Sequence, residues 1–134
     1  MDNMFAEWIK FADMDLTTAR HLHETMNPVP LEIVCYHCQQ SAEKTIKAFL
    51  IYSGAKPLKT HDLELLRFEC EEFDKSFAEI ANECVRLNDY SSQPRYPMEI
   101  EVTDGDAVQA LQDSQRITGF VKTRLFASAL WRTI

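Results

Sequence analysis

The chain has 134 residues, 46% of them hydrophobic and 26% charged, with a formal net charge of -7, which describes one globular domain able to bury a core without disulfides. That acidic balance argues against non-specific DNA or RNA binding by phosphate neutralisation. No apolar run approaches the about 20 residues a bilayer crossing needs, and the start MDNMFAEWIK lacks the basic flank of a signal peptide, so no membrane contact and a cytoplasmic location are expected.

A reducing compartment would keep Cys35, Cys38, Cys70 and Cys84 as thiols. The charge is unevenly spread: residues 62–83 and 99–106 hold most of the acids, whereas 114–134 contain Arg116, Lys122, Arg124 and Arg132 and no acid.

In chain order, Phe5, Trp8, Ile9, Ala12, Leu16, Ala19 and Leu22 recur at intervals of three and four, the apolar stripe of a first helix. Asp2 or Asn3 is placed to cap it and Asn27-Pro28 to end it. Pro30 suits a first helical position, and Leu31, Val34, Cys35, Cys38, Ala42, Ile46 and Phe49 form a second stripe that Gly54 stops. Thr60 is the expected cap of a short third helix with Leu63, Leu66 and Phe68. A fourth helix is expected to carry Phe73, Phe77, Ile80, Cys84 and Leu87 and to run out near Tyr90. Pro94 and Pro97 hold Arg95-Tyr96 out of any helix. Thr103 and Asp106 have the spacing of a capping box, opening a last helix with Ala107, Val108, Leu111, Thr118, Val121 and Leu125 on its stripe. No strand pattern competes. The expected fold is all-α: an antiparallel, up-and-down four-helix bundle with one additional short helix, filling the single domain 1–134.

The densest chemistry lies in "CYHCQQSAEKTIKAFL", residues 35–50. At about 100° per residue, Cys35 and Cys38 fall in the apolar stripe and His37 points elsewhere, so the three cannot converge on one ion from a regular helix. No second CxxC or HxxxH completes a tetrahedron, and no metal site is expected. Another strip of the same helix carries His37, Gln40, Lys44 and Lys47, with Glu43 beside it. On spacing alone this is a solvated face with a Glu43–Lys47 pair at i,i+4. It is also a set of ring nitrogen, amide and ammonium groups able to hold a phosphate or a base edge.

"CYHCQQSAEKTIKAFLIYSG", followed by "KTHDLELL" and then "RYP" after a long helix, resembles the HEPN domain, the nucleotide-binding domain of higher eukaryotes and prokaryotes. The resemblance spans about residues 5–125, leaving 126–134 as a basic, aromatic tail. It implies a small bundle of helices that commonly dimerises. It also implies, for many members, a minimal nucleotidyltransferase partner in a two-component, toxin–antitoxin type module. By motif match, the residues carried over as nucleotide- or partner-binding are His37, Gln40, Glu43, Lys44, Lys47, His61, Arg95 and Tyr96. In those roles Lys44, Lys47 and Arg95 would neutralise phosphate, Gln40 and His37 would orient a base or phosphate oxygen, and Tyr96 would stack. Glu43 would be an internal partner that fixes a lysine or Arg95. His61 has the alternative of bonding a helix start, and Gln40 of tying two helices together.

The ribonuclease branch of the family places a histidine four to six residues after an arginine, and no pair here has that order and spacing. An enzyme is therefore not the leading expectation, and no cofactor is expected beyond a possible bound nucleotide. Two alternatives remain: an atypical metal-independent ribonuclease using His37 or His61 as base, and a helical adaptor whose contact surface includes Phe126, Leu130 and Trp131.

Overall fold

A computed structural model describes residues 4–91 and 101–133, with side chains up to residue 126 in the last helix. Among these residues every regular element is helical: α1 (Met4–Thr25), α2 (Leu31–Tyr52), α3 (Leu63–Glu71), a 3-10 segment (Lys75–Ile80), α4 (Ala81–Leu87), a single 3-10 turn (Asn88–Tyr90) and α5 (Asp104–Thr133). This is the expected all-α bundle. The proposed cap at Asp2 or Asn3, and Arg95-Tyr96 between their prolines, lie outside the described residues.

α2 is the hub. It packs on α1 along one flank and α5 along another, and α3, α4 and the turn after α4 close over what remains. The stripes read from the sequence supply the core: Ile9, Ala12, Leu16 and Ala19 of α1, Val34, Cys35, Cys38, Ala42, Ile46 and Phe49 of α2, and Ala107, Val121 and Leu125 of α5. Because α2 has neighbours on several sides, Gln39, Ser41, Glu43 and Thr45 are buried as well, on positions that alternate with the stripe. Hydroxyls staple the helices where side chains are small: Ser41 Oγ donates to the Ala12 carbonyl and Ser114 Oγ to that of Cys38, both at 2.8 Å. No buried side-chain nitrogen or oxygen lacks a partner among the described residues.

The helix ends follow local chemistry. Pro30 sits at the cap itself, one position before the expected one, and α2 begins at Leu31. Past its other end, Gly54 takes φ +88, where a Cβ would be strained, and lets the Ala55 amide reach back to the Leu50 carbonyl at 2.9 Å.

Asp62, not Thr60, caps α3. Its Oδ1 accepts from the amides of Glu64 at 2.9 Å and Leu65 at 3.3 Å, while Thr60 Oγ1 accepts from the Asp62 amide and shapes the approach. Asn88 seals the junction, donating from Nδ2 to Asp62 and accepting the Leu63 amide. The Asn88 bond, helped by the helix amides, holds the Asp62 carboxyl below the usual carboxylate range. At α5 the capping box forms as expected: the Thr103 amide donates to Asp106 at 3.0 Å and the Asp106 amide to Thr103 Oγ1 at 3.1 Å.

The expected fourth helix is split. Asp74 accepts from the Ser76 amide and hydroxyl, which starts a tight 3-10 run, and the α-helix proper begins only at Ala81. Phe77 and Ile80 reach the core as expected, but Phe73 lies before the run and is exposed, as are Phe68 on α3 and Val108 on α5. At the other end of the bundle, His23 Nε2 meets Asp104 at 2.8 Å, which ties the end of α1 to the start of α5.

All four cysteines are free and buried. Burial pushes the Cys35 and Cys84 thiols up to about 12 and raises Cys38 and Cys70 in the same direction. A raised value keeps a thiol protonated and poorly nucleophilic throughout the neutral range. In the native protein at about pH 8, a small alkylating reagent is therefore expected to leave the thiols unmodified on the timescale at which it labels all of them in denaturant. Mass spectrometry after timed quenching reads this directly; fast native labelling of any thiol would show an opening in its helix.

Candidate functional site

The polar strip of α2 is built from two carboxylates, each receiving one imidazole and one ammonium. Glu43, with a side chain only 5% exposed, accepts His61 Nδ1 at 2.9 and 3.1 Å and Lys47 Nζ at 3.0 Å. Asp15, which reaches across from α1, accepts His37 Nδ1 at 2.9 Å and Lys44 Nζ at 2.6 Å. An ionised carboxylate only accepts, so in each pair the imidazole Nδ1 carries the proton and the other ring nitrogen, Nε2, is left for other partners. The His61 ring is 69% exposed and the His37 ring 26%.

Amides connect the parts. Gln40 Nε2 donates to Gln39 Oε1 at 2.8 Å, and Gln39 Nε2 donates to the His61 carbonyl at 3.0 Å and to Glu43 Oε1 at 3.3 Å. The loop that carries His61 is thus fixed to α2 through both its backbone and its ring, and the Asp62 cap then starts α3 at once. Lys47 also lies against the Trp8 ring of α1, 5.8 Å from its centroid. The His37 ring meets Tyr36 edge-on at 5.6 Å.

Of the residues expected from the sequence, His37, Gln40, Glu43, Lys44, Lys47 and His61 are therefore brought onto one face, at the junction of α1, α2 and the start of α3. Arg95 and Tyr96 lie outside the described residues. Sequence reasoning missed Asp15, Gln39 and Trp8. Trp8 and Asp15 are seven residues apart on α1 and so share a face, a weak signal that becomes a pairing only once α1 is registered against α2. Among the described residues, no group of three or more His, Cys, Asp or Glu side chains is placed to hold a metal ion.

The model of the HEPN domain matches residues 5–124, nearly the whole chain. The chain belongs to the HEPN family. Among solved structures, the crystal structure of an archaeal HEPN homologue is similar at 26% sequence identity and a TM-score of 0.72, covering 93% of this chain and 99% of that one. No curated protein shows a significant match. The matched region of this HEPN domain contains every element that builds the strip, from Trp8 on α1 to His61 before α3. No helix among the described residues is long and apolar enough to cross a membrane.

Proposed function

We propose that this HEPN-domain protein binds a nucleotide at the His37–Gln40–His61 face of α2. It does so as a homodimer partnered with a minimal nucleotidyltransferase, forming one half of a two-component, toxin–antitoxin type module in the cytoplasm. The observation that carries the reading is the pair of imidazoles anchored through Nδ1 to Asp15 and Glu43, beside the Gln40 amide. Held this way, the rings offer fixed hydrogen-bonding nitrogens at an exposed edge, a composition suited to phosphate oxygens or a base edge. The partner part of the reading is supported by membership of the family and by the RYP sequence at residues 95–97.

Thermal-shift titrations with ATP, ADP, GTP and short RNA, with and without magnesium, test the reading on wild type, His61→Ala and Arg95→Ala. A ligand at about one hundred times its dissociation constant is expected to stabilise the fold by roughly 2.7 kcal/mol, a shift of several degrees. Loss of that shift in His61→Ala supports the site, and the absence of a shift with every ligand removes it.

One observation favours a second reading, a metal-independent ribonuclease. A histidine oriented by a buried carboxylate is the arrangement of a general base and its orienting group. RNA cleavage abolished by His61→Ala would support it, and cleavage that survives both His61→Ala and His37→Ala would remove it.

A further inference from the structure

The two lysines of the strip look at first like the groups that would meet an anion, yet both are already committed. Lys44 Nζ is 2.6 Å from Asp15 Oδ2 and Lys47 Nζ is 3.0 Å from Glu43 Oε2. Both carboxylates are mostly buried, so drawing either lysine away toward a ligand would strand a negative charge in a poorly hydrated place. Lys47 is further confined by the Trp8 ring. Within the cluster the two carboxylates cancel the two lysines. Its net charge is then set by the imidazoles alone: zero when both are neutral, and one positive charge for each that takes a proton.

We infer that the imidazoles, and His61 first of all, are the anion-binding groups of this site. Asp15 and Glu43 are positioning residues that hold Nδ1–H inward, and Lys44 and Lys47 neutralise those carboxylates rather than touch the ligand. The inference rests on the nucleotide-binding reading above and names the part of the nucleotide received here, a phosphate oxyanion. The geometry leaves Nε2 of each ring for a ligand, and only the protonated ring donates from that atom. The charged groups around His61 are Glu43 and Lys47 of α2 and its neighbour Asp62, whose carboxyl is engaged by Asn88 and the α3 amides. Those around His37 are Asp15 of α1 and Lys44 of α2, with the Tyr36 ring against its edge. Only the protonated ring carries both the positive charge and the Nε2–H that an anion needs, so anion affinity falls as rising pH removes that proton.

The experiment follows the imidazole nitrogens of the full-length chain by two-dimensional proton–nitrogen NMR during titration with sulfate and, separately, with AMP. Sulfate keeps a constant charge over the range used, so any pH dependence of its binding belongs to the protein. The expected result is an Nδ1–H tautomer of His61 in the neutral ring, disturbed in Glu43→Gln. Both ligands should perturb His61 Nε2 while the ring is protonated, and sulfate should bind about tenfold more weakly once the nitrogen signals show that the ring has lost its proton. His61→Ala should lose sulfate binding, while Asp15→Asn/Lys44→Met, which removes one charge of each sign beside His37, keeps its pH dependence. Sulfate binding that does not change as the His61 ring loses its proton, or that persists in His61→Ala, would overturn the inference. If AMP binds without moving any histidine signal, the nucleotide reading stands and this inference falls. If sulfate binds through His61 and AMP does not bind, the imidazole assignment stands and the nucleotide reading falls. If neither binds, both fall.

Discussion

Replacing Phe77 with alanine is expected to cost about 4 kcal/mol, the largest single-residue effect anticipated in this fold. The ring is fully buried between two others, with centroids 4.5 Å from Phe49 of α2 and 5.1 Å from Phe120 of α5, the second contact edge-on. It is also one of only two side chains, with Ile80, by which the 3-10 segment reaches the core. Truncation therefore removes aromatic contacts and leaves a void that the surrounding helices, tied elsewhere by their own caps and hydroxyl staples, can only partly close. For a domain of this size the midpoint of thermal unfolding should fall by roughly 12 °C, read by calorimetry or circular dichroism. Phe73→Ala, four residues earlier and exposed, is the control and should stay within about 0.5 kcal/mol. Similar losses in the two variants would show that the segment does not dock through Phe77.

Glu43→Ala is expected to cost about 3 kcal/mol, and most of that cost is the charge left behind. Lys47 would keep a largely covered ammonium without its carboxylate, Gln39 would lose one of its two acceptors, and the His61 ring would lose its anchor. Removing Lys47 as well should recover part of the loss, so Glu43→Ala/Lys47→Met is expected to be more stable than Glu43→Ala alone. Urea unfolding of the single and double variants measures the coupling directly. A loss below about 1 kcal/mol in Glu43→Ala would mean that water solvates the site far better than its burial implies.

The core was legible from the sequence because its stripes are regular: every apolar residue assigned to α1 and α2 is either buried or partly buried against the core. The failures cluster where tertiary contacts outrank periodicity. Phe68, Phe73 and Val108 fit a helical stripe, but among the described residues they fall on exposed faces. Thr60 and Asp62 are both good caps, and the choice between them was made by Asn88, a residue 26 positions further on that bonds the Asp62 carboxylate. The 3-10 run replaced a first α-helical turn because the Asp74–Ser76 pair binds its own amide tightly and Arg124 clamps it from α5.

The candidate site was legible through its motif and not through its energetics. Glu43 reads as one half of a surface i,i+4 pair, yet it is the buried centre of the cluster, because α2 is enclosed on more sides than a single stripe implies. Asp15 carries only a weak local sign of its role, its place on the Trp8 face of α1. Its pairing with His37 and Lys44 depends on how α1 lies against α2, which no window of sequence contains.

The central position of α2 has a consequence for how the site opens. Backbone amides in this helix are shielded by neighbours on several flanks, so their exchange with solvent hydrogen requires the bundle itself to come apart. The loop carrying His61 hangs on that helix by the Gln39 amide and the Glu43 carboxylate. The α2 side of the candidate site therefore belongs to the last region to open, and the groups that orient the two imidazoles hold for as long as that helix does.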